Sequence, residues 1–173
     1  NPAQWNALKL LNERGEFISA EDGADVLRLA EADRFDFVPV EQLGRVREVT
    51  GWTRRHIDAI LALDLVDVQA IKKARFRVAL DAVNSVGGTA VPALLTALGV
   101  LEVIEIHCTP NGQFPHNPEP LPEHLIDLCG TVVKHGAHLG IAVDPDVDRL
   151  ALVCEDGSLF GEEYTLVACA DHV

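Results

Sequence analysis

The chain has 173 residues, 48% of them hydrophobic, with 14 Lys and Arg against 27 Asp and Glu and a formal charge of −13. That length and apolar share suit one domain, or pieces of two, with a real core, and they argue against intrinsic disorder. The acidic balance excludes nucleic acid and an anionic membrane as main partners, no apolar stretch is long enough to span a bilayer, and no signal peptide opens the chain.

In chain order, Gln4–Leu11 carries Trp5, Leu8 and Leu11 on one helical face, and Asn12-Glu13-Arg14-Gly15 ends it. Glu16–Ile18 reads as a short strand. Ser19, with Asp22 three residues on, is an N-cap signal for a helix carrying Val26, Leu27 and Leu29. Residues 31–52 are polar and mixed and read as a boundary.

From Thr53 the pattern changes. His56–Lys73 spaces Ile57, Ile60, Leu61, Leu65, Val68 and Ile71 as one long amphipathic helix. Phe76–Leu80 is an apolar strand, Asp81–Gly88 a loop, and Thr89–Leu98 a helix with Pro92 in its first turn. Leu101–Ile106 is the next strand, followed by a Pro-rich loop over Thr109–Pro120. Leu121–His135 reads as a helix with Pro122 near its start. Leu139–Val143 and Leu150–Cys154 are strands, Glu155-Asp156-Gly157 is a turn, and Glu162–Val173 is helical. The alternation of strand and helix predicts an α/β fold: a layered, mixed β-sheet with helices on both faces. The short connection Asp144–Arg149 makes the last two strands an antiparallel pair.

Cys108, Cys129, Cys154 and Cys169 contain no C-x-x-C pair and read as reduced, mostly buried thiols of a cytoplasmic protein. Methionine is absent and the chain starts Asn1-Pro2, which suits an excised piece of a longer protein.

The segment richest in chemistry is Asp144-Pro-Asp146-Val-Asp148-Arg149, at the end of an apolar strand. Like charges so close repel unless something neutralises them, and a hard divalent cation prefers carboxylate oxygen. Arg149 can offset remaining charge or grip a phosphate. A solvated acidic turn is the plain alternative, against which the flanking apolar strands argue. An EF-hand loop would place Asp144, Asp146, Asp148 and Glu155 at ligand positions, but Arg149 stands where that loop needs Gly. A haloacid-dehalogenase-type phosphatase would use Asp144 as nucleophile and Asp146 as acid/base, but that family needs a later Lys and none follows Arg149. His107 and His116 lack metal-ligand spacing; His107 reads as a core or strand-end residue, His116 as a surface loop residue shaped by its prolines. Asn84–Gly88 could offer N–H groups to an anion, or be only a tight turn.

Asp144-x-Asp146-x-Asp148-Arg149 resembles the metal loop of the α-D-phosphohexomutases, the phosphoglucomutase/phosphomannomutase superfamily, with Pro145 in place of the usual Gly. Three further segments resemble that family in its order. Asn1-Pro-Ala-Gln-Trp-Asn6-Ala-Leu-Lys9 is similar to the stretch after its catalytic serine. Asp81-Ala-Val-Asn84-Ser-Val-Gly87-Gly88 is similar to the loop opening its second domain. Gly112-Gln-Phe114-Pro115-His116-Asn-Pro118-Glu-Pro120 is similar to its G-x-F-P-x-x-x-P-x-P segment.

The resemblance implies the end of domain one over residues 1–52, domain two over 53–160 and the start of domain three over 161–173. It implies a Mg²⁺-dependent enzyme that interconverts hexose 1-phosphate and hexose 6-phosphate through a phosphoserine and a bisphosphorylated sugar. Asp144, Asp146 and Asp148 become Mg²⁺ ligands, Arg149 a phosphate contact and Lys9 the general acid/base candidate. The serine itself lies before Asn1 on this alignment, so the chain alone is expected to be inactive and to work with the remaining domains. The competing expectation is an autonomous divalent-metal-binding or phosphatase-like module.

Overall fold

The computed structural model describes residues 9–33 and 35–173. They form two units, one ending at Thr50 and one running from Gly51 to Val173.

In the first unit, helix α1 spans Ala20–Glu31. Its start is the expected capping box: the Asp22 amide donates to Ser19 Oγ at 3.1 Å, and the Ser19 amide donates back to Asp22 Oδ2 at 3.3 Å. Two first-turn carboxylates, Glu21 and Asp22, suit the positive end of the helix dipole. Leu11 and Phe17 form an antiparallel bridge across the Asn12–Gly15 turn, so Lys9–Leu11 is not helical. The rest of the expected first helix, residues 4–8, lies outside the described residues.

The second unit holds helices α2 (Trp52–Leu61) and α3 (Val68–Ala74), strand β1 (Arg77–Asp81), helix α4 (Gly87–Leu98) and strand β2 (Glu102–Ile106). Helix α5 (Ile126–His135), strands β3 (Leu139–Val143) and β4 (Leu150–Cys154) and helix α6 (Glu162–His172) follow. The sheet order is β2-β1-β3-β4. β1 runs parallel to both neighbours, and β3–β4 is antiparallel, as the short connection required. The fold is therefore the expected α/β arrangement around a mixed sheet.

Helices cover both faces because β1 alternates its side chains. Val78 and Leu80 pack with Val91 and Leu95 of α4, and Val143 joins them. Ala79 points the other way and packs with Leu128 and Val132 of α5, beside Ala142 and Val153. The strand is apolar on both faces, as parallel strands between helices are.

Further details differ from the sequence reading. The expected helix over His56–Lys73 is two helices, because the Asp67 side chain accepts the Ala70 amide at 2.9 Å and caps a fresh start. Leu121–His135 also divides. Pro122–His124 is a 3₁₀ turn, and Leu125, buried to 1% exposure, leaves helical geometry at φ −101°, ψ 14° before α5 begins. Helix α4 starts at Gly87, so Pro92 falls beyond the first turn. β1 ends one residue later than expected, which makes Asp81 a buried strand residue rather than a loop residue. The cysteines are free, but three are half-buried and Cys169 is exposed, so they are not mostly buried. Among the described residues no helix is long and apolar enough to cross a membrane.

Candidate functional site

The strand order reverses at β1, and the carboxyl ends of parallel strands beside such a reversal are where open α/β sheets hold ligands. Asp81 ends β1 and Asp144 directly follows β3, its neighbour. Both are buried polar residues in an otherwise apolar core. Burying a carboxylate demands partners, and each has a full set.

Asp144 Oδ1 accepts the amides of Asp148 and Arg149, both at 3.1 Å, and Oδ2 accepts Arg149 Nε at 3.1 Å. These bonds fold Asp144–Arg149 back on itself, with Val147 at φ +61° closing the turn. Asp146 and Asp148 are exposed. One carboxylate oxygen from each of the three aspartates lies within 4.8 Å of the others. The loop thus brings together the three residues picked from sequence, one buried as an anchor and two facing solvent.

Arg149 also reaches Glu119 Oε1 through Nη1 at 3.3 Å. Hydrogen bonds donated to Asp144 first and Glu119 second hold its guanidinium above the ordinary arginine range, so it is permanently cationic. It borders a cleft of about 520 Å³ lined in part by Pro120, Leu121, Leu150 and Leu159. Lys9 is exposed and belongs to the first unit.

The Asn84–Gly88 segment behaves as a tight turn. The Asn84 amide donates to the His107 carbonyl at 2.6 Å and the Gly88 amide to Ser85 at 3.0 Å. Ser85 Oγ donates to the Pro145 carbonyl at 2.7 Å and so braces the aspartate loop. A Cβ on Gly88 would collide with the Cys108 carbonyl, which is why glycine stands there.

Asp81, His107 and His116 form a second cluster that the sequence reading did not assemble. His107 Nδ1 lies 2.9 Å and His116 Nε2 3.0 Å from the same Asp81 Oδ2, while Asp81 Oδ1 accepts the Val83 amide at 2.9 Å. His116 is thus not a plain surface loop residue. The three residues come from separate segments, so spacing gave no signal. What could have pointed to them is a histidine directly after β2 and another in the Pro-rich loop, both near the sheet's carboxyl edge.

The EF-hand reading fails on the structure, because β3 and β4 flank the aspartate loop where helices are needed. Residues 54–157 match the family model for phosphoglucomutase/phosphomannomutase, alpha/beta/alpha domain II. A phosphoglucomutase/phosphomannomutase of Thermococcus kodakarensis is 34% identical over 174 residues, covering 100% of this chain and 37% of that protein. A phosphomannomutase of Escherichia coli is 37% identical over 175 residues, covering 96% of this chain and 37% of that protein. A solved phosphoglucomutase/phosphomannomutase family structure from Burkholderia thailandensis superposes with a TM-score of 0.71 at 28% identity, over 91% of this chain and 32% of that one. The chain thus spans 37% of the length of these curated relatives.

Proposed function

The chain belongs to the phosphoglucomutase/phosphomannomutase family, and from that premise we propose that it is part of a Mg²⁺-dependent phosphohexomutase of the cytoplasm. The reaction is the interconversion of hexose 1-phosphate and hexose 6-phosphate through a phosphoserine and a bisphosphorylated sugar. In this reading residues 1–52 close domain one, 53–160 form domain two and 161–173 open domain three. The serine comes from outside the 173 residues, so the chain by itself does not turn over substrate.

The observation that carries the reading is the Asp144–Arg149 loop. Its three carboxylate oxygens within 4.8 Å are an all-oxygen donor set, which fits a hard cation such as Mg²⁺ and not a soft one. Asp144, Asp146 and Asp148 would hold the ion, and a bound Mg²⁺ supplies positive charge beside a phosphoryl group in transfer. The protein's own part is positioning. Asp144 fixes the Arg149 backbone and guanidinium at once, so Arg149 can contact a phosphate oxygen from a fixed place. Lys9, at the position matching the family's general acid/base, would move a proton at a sugar hydroxyl.

The test uses the full-length protein that contains this chain, with Mg²⁺ and a hexose bisphosphate primer. Conversion of glucose 1-phosphate to glucose 6-phosphate, lost on removal of Mg²⁺ and in Asp146→Ala, is the expected result. No phosphate movement on glucose, mannose or glucosamine phosphates would reject the reading.

A further inference from the structure

We propose that Asp81, His107 and His116 form a second metal site, for a borderline transition-metal dication such as Zn²⁺ or Co²⁺, separate from the aspartate loop. The donor set is chemically unlike the first: two imidazole nitrogens and one carboxylate oxygen, all within 4.8 Å of one another. Imidazole suits Zn²⁺, Co²⁺ and Ni²⁺, and two His with one carboxylate is a recurrent three-ligand set that leaves a position open.

The hydrogen bonds aim the ligand atoms at one point. His116 Nδ1 lies 2.8 Å from the Asn117 carbonyl, and a carbonyl can only accept, so Nδ1 carries the hydrogen. Backbone carbonyls fix metal-bound histidines in just this way. The other nitrogen, Nε2, then presents a lone pair toward Asp81 Oδ2 at 3.0 Å, acceptor against acceptor. A proton on Nε2 meets that contact in the metal-free chain, and a metal ion bound there would displace it. His107 Nδ1 aims at the same oxygen, so both rings and the carboxylate converge on one point. The two rings meet edge to face with centroids 5.4 Å apart. Asp81 is 2% exposed, while His107 and His116 keep 23% and 18%, which leaves a path for an ion and for a further ligand.

The site is built rather than accidental. His107 holds φ +50°, an uncommon backbone state for a residue with a side chain, and Val83 and Asn84 hold +46° and +54°. Asn84 locks this arrangement: its Oδ1 accepts the Thr109 amide at 3.1 Å and its Nδ2 donates to the Gln113 carbonyl at 3.0 Å. An ion held here pins the Pro-rich loop to β1. Glu119 on that loop also meets Arg149, at 3.3 Å.

The experiment titrates the 173-residue chain with Co²⁺ and Zn²⁺ in an Asp146→Asn background, which disables the aspartate loop. Visible Co²⁺ ligand-field bands that Zn²⁺ displaces are expected to persist in Asp146→Asn and to need at least about tenfold more metal in His116→Gln. Imidazole ¹⁵N NMR of the unsubstituted chain covers the case in which His116→Gln does not fold. Zn²⁺ is expected to move His107 Nδ1 and His116 Nε2. Bands unchanged in a folded His116→Gln, or Zn²⁺ that moves neither imidazole, would overturn the proposal.

Discussion

Two buried aspartates stand at the carboxyl edge of one sheet, and they are satisfied by opposite strategies. Asp144 finds its partners within five residues: two backbone amides and the Arg149 guanidinium. Asp81 draws its two imidazoles from 26 and 35 residues away. The first cluster is local, all-oxygen and exposed at two of its three aspartates. The second is long-range, nitrogen-rich and mostly enclosed. A local centre is a property of one turn, whereas a long-range one exists only once the sheet and the Pro-rich loop have formed.

Substitutions can separate the two, and the largest effect is expected from Asp144→Asn. The single amide oxygen cannot replace both carboxylate oxygens, one on the two backbone amides and one on Arg149 Nε, and it carries no charge for a cation. Mg²⁺ affinity should fall at least about 100-fold, more than is usual for losing an outer partner of a metal, with stability lower by about 2 kcal/mol. Calorimetric Mg²⁺ titration and urea unfolding measure the two terms. Zn²⁺ binding at Asp81 should be unaffected; its loss would mean that the centres are one.

Gly88→Ala is expected to invert that pattern. The added methyl presses on the Cys108 carbonyl, next to His107, and overpacking of this kind costs about 2 kcal/mol. Co²⁺ band intensity should drop while Mg²⁺ affinity stays within roughly twofold, as for independent sites.

Asp146→Ala is expected to weaken Mg²⁺ about 10–100-fold. Its stability change should stay within about 0.5 kcal/mol, because the residue is exposed. A matching thermal scan distinguishes lost ligation from lost folding.

The smallest effect tests the ground between the centres. Burial first, then the charge of Glu105, pushes the Cys108 thiol up from 9.0 to about 11. The folded chain keeps that proton where the unfolded chain releases it. This contribution to stability is whole below pH 9 and is lost as pH rises toward 11. Denaturation midpoints at pH 8 and 10.5 should show the decline in wild type and less of it in Cys108→Ala. Alkylation near pH 8 should reach exposed Cys169 well before Cys108.

What the sequence made legible follows the same division. Strands β3 and β4, the capping box at Ser19 and the aspartate loop each depend on neighbours a few residues apart, and periodicity and spacing revealed them. The breaks at Asp67 and Leu125 were hidden, because an apolar stripe continues across each and only a cap or a deeply buried side chain ends the helix. His107 and His116 were hidden for a stronger reason. Their partner is a residue on another strand, placed in a loop by a one-residue error at the end of β1. A residue taken as loop has no assigned face, whereas at the end of a strand its side chain has a fixed side and fixed neighbours.

The central claim is that the Asp144–Arg149 loop holds Mg²⁺. Its most direct test is an amide ¹H–¹⁵N NMR titration of the chain with Mg²⁺, followed at Asp148 and Arg149, whose amides donate to Asp144 Oδ1. Saturable shifts centred on residues 144–149 and abolished in Asp146→Ala are the expected result. Unmoved Asp148 and Arg149 amides at millimolar Mg²⁺, or the same shifts in a folded Asp146→Ala, would contradict it.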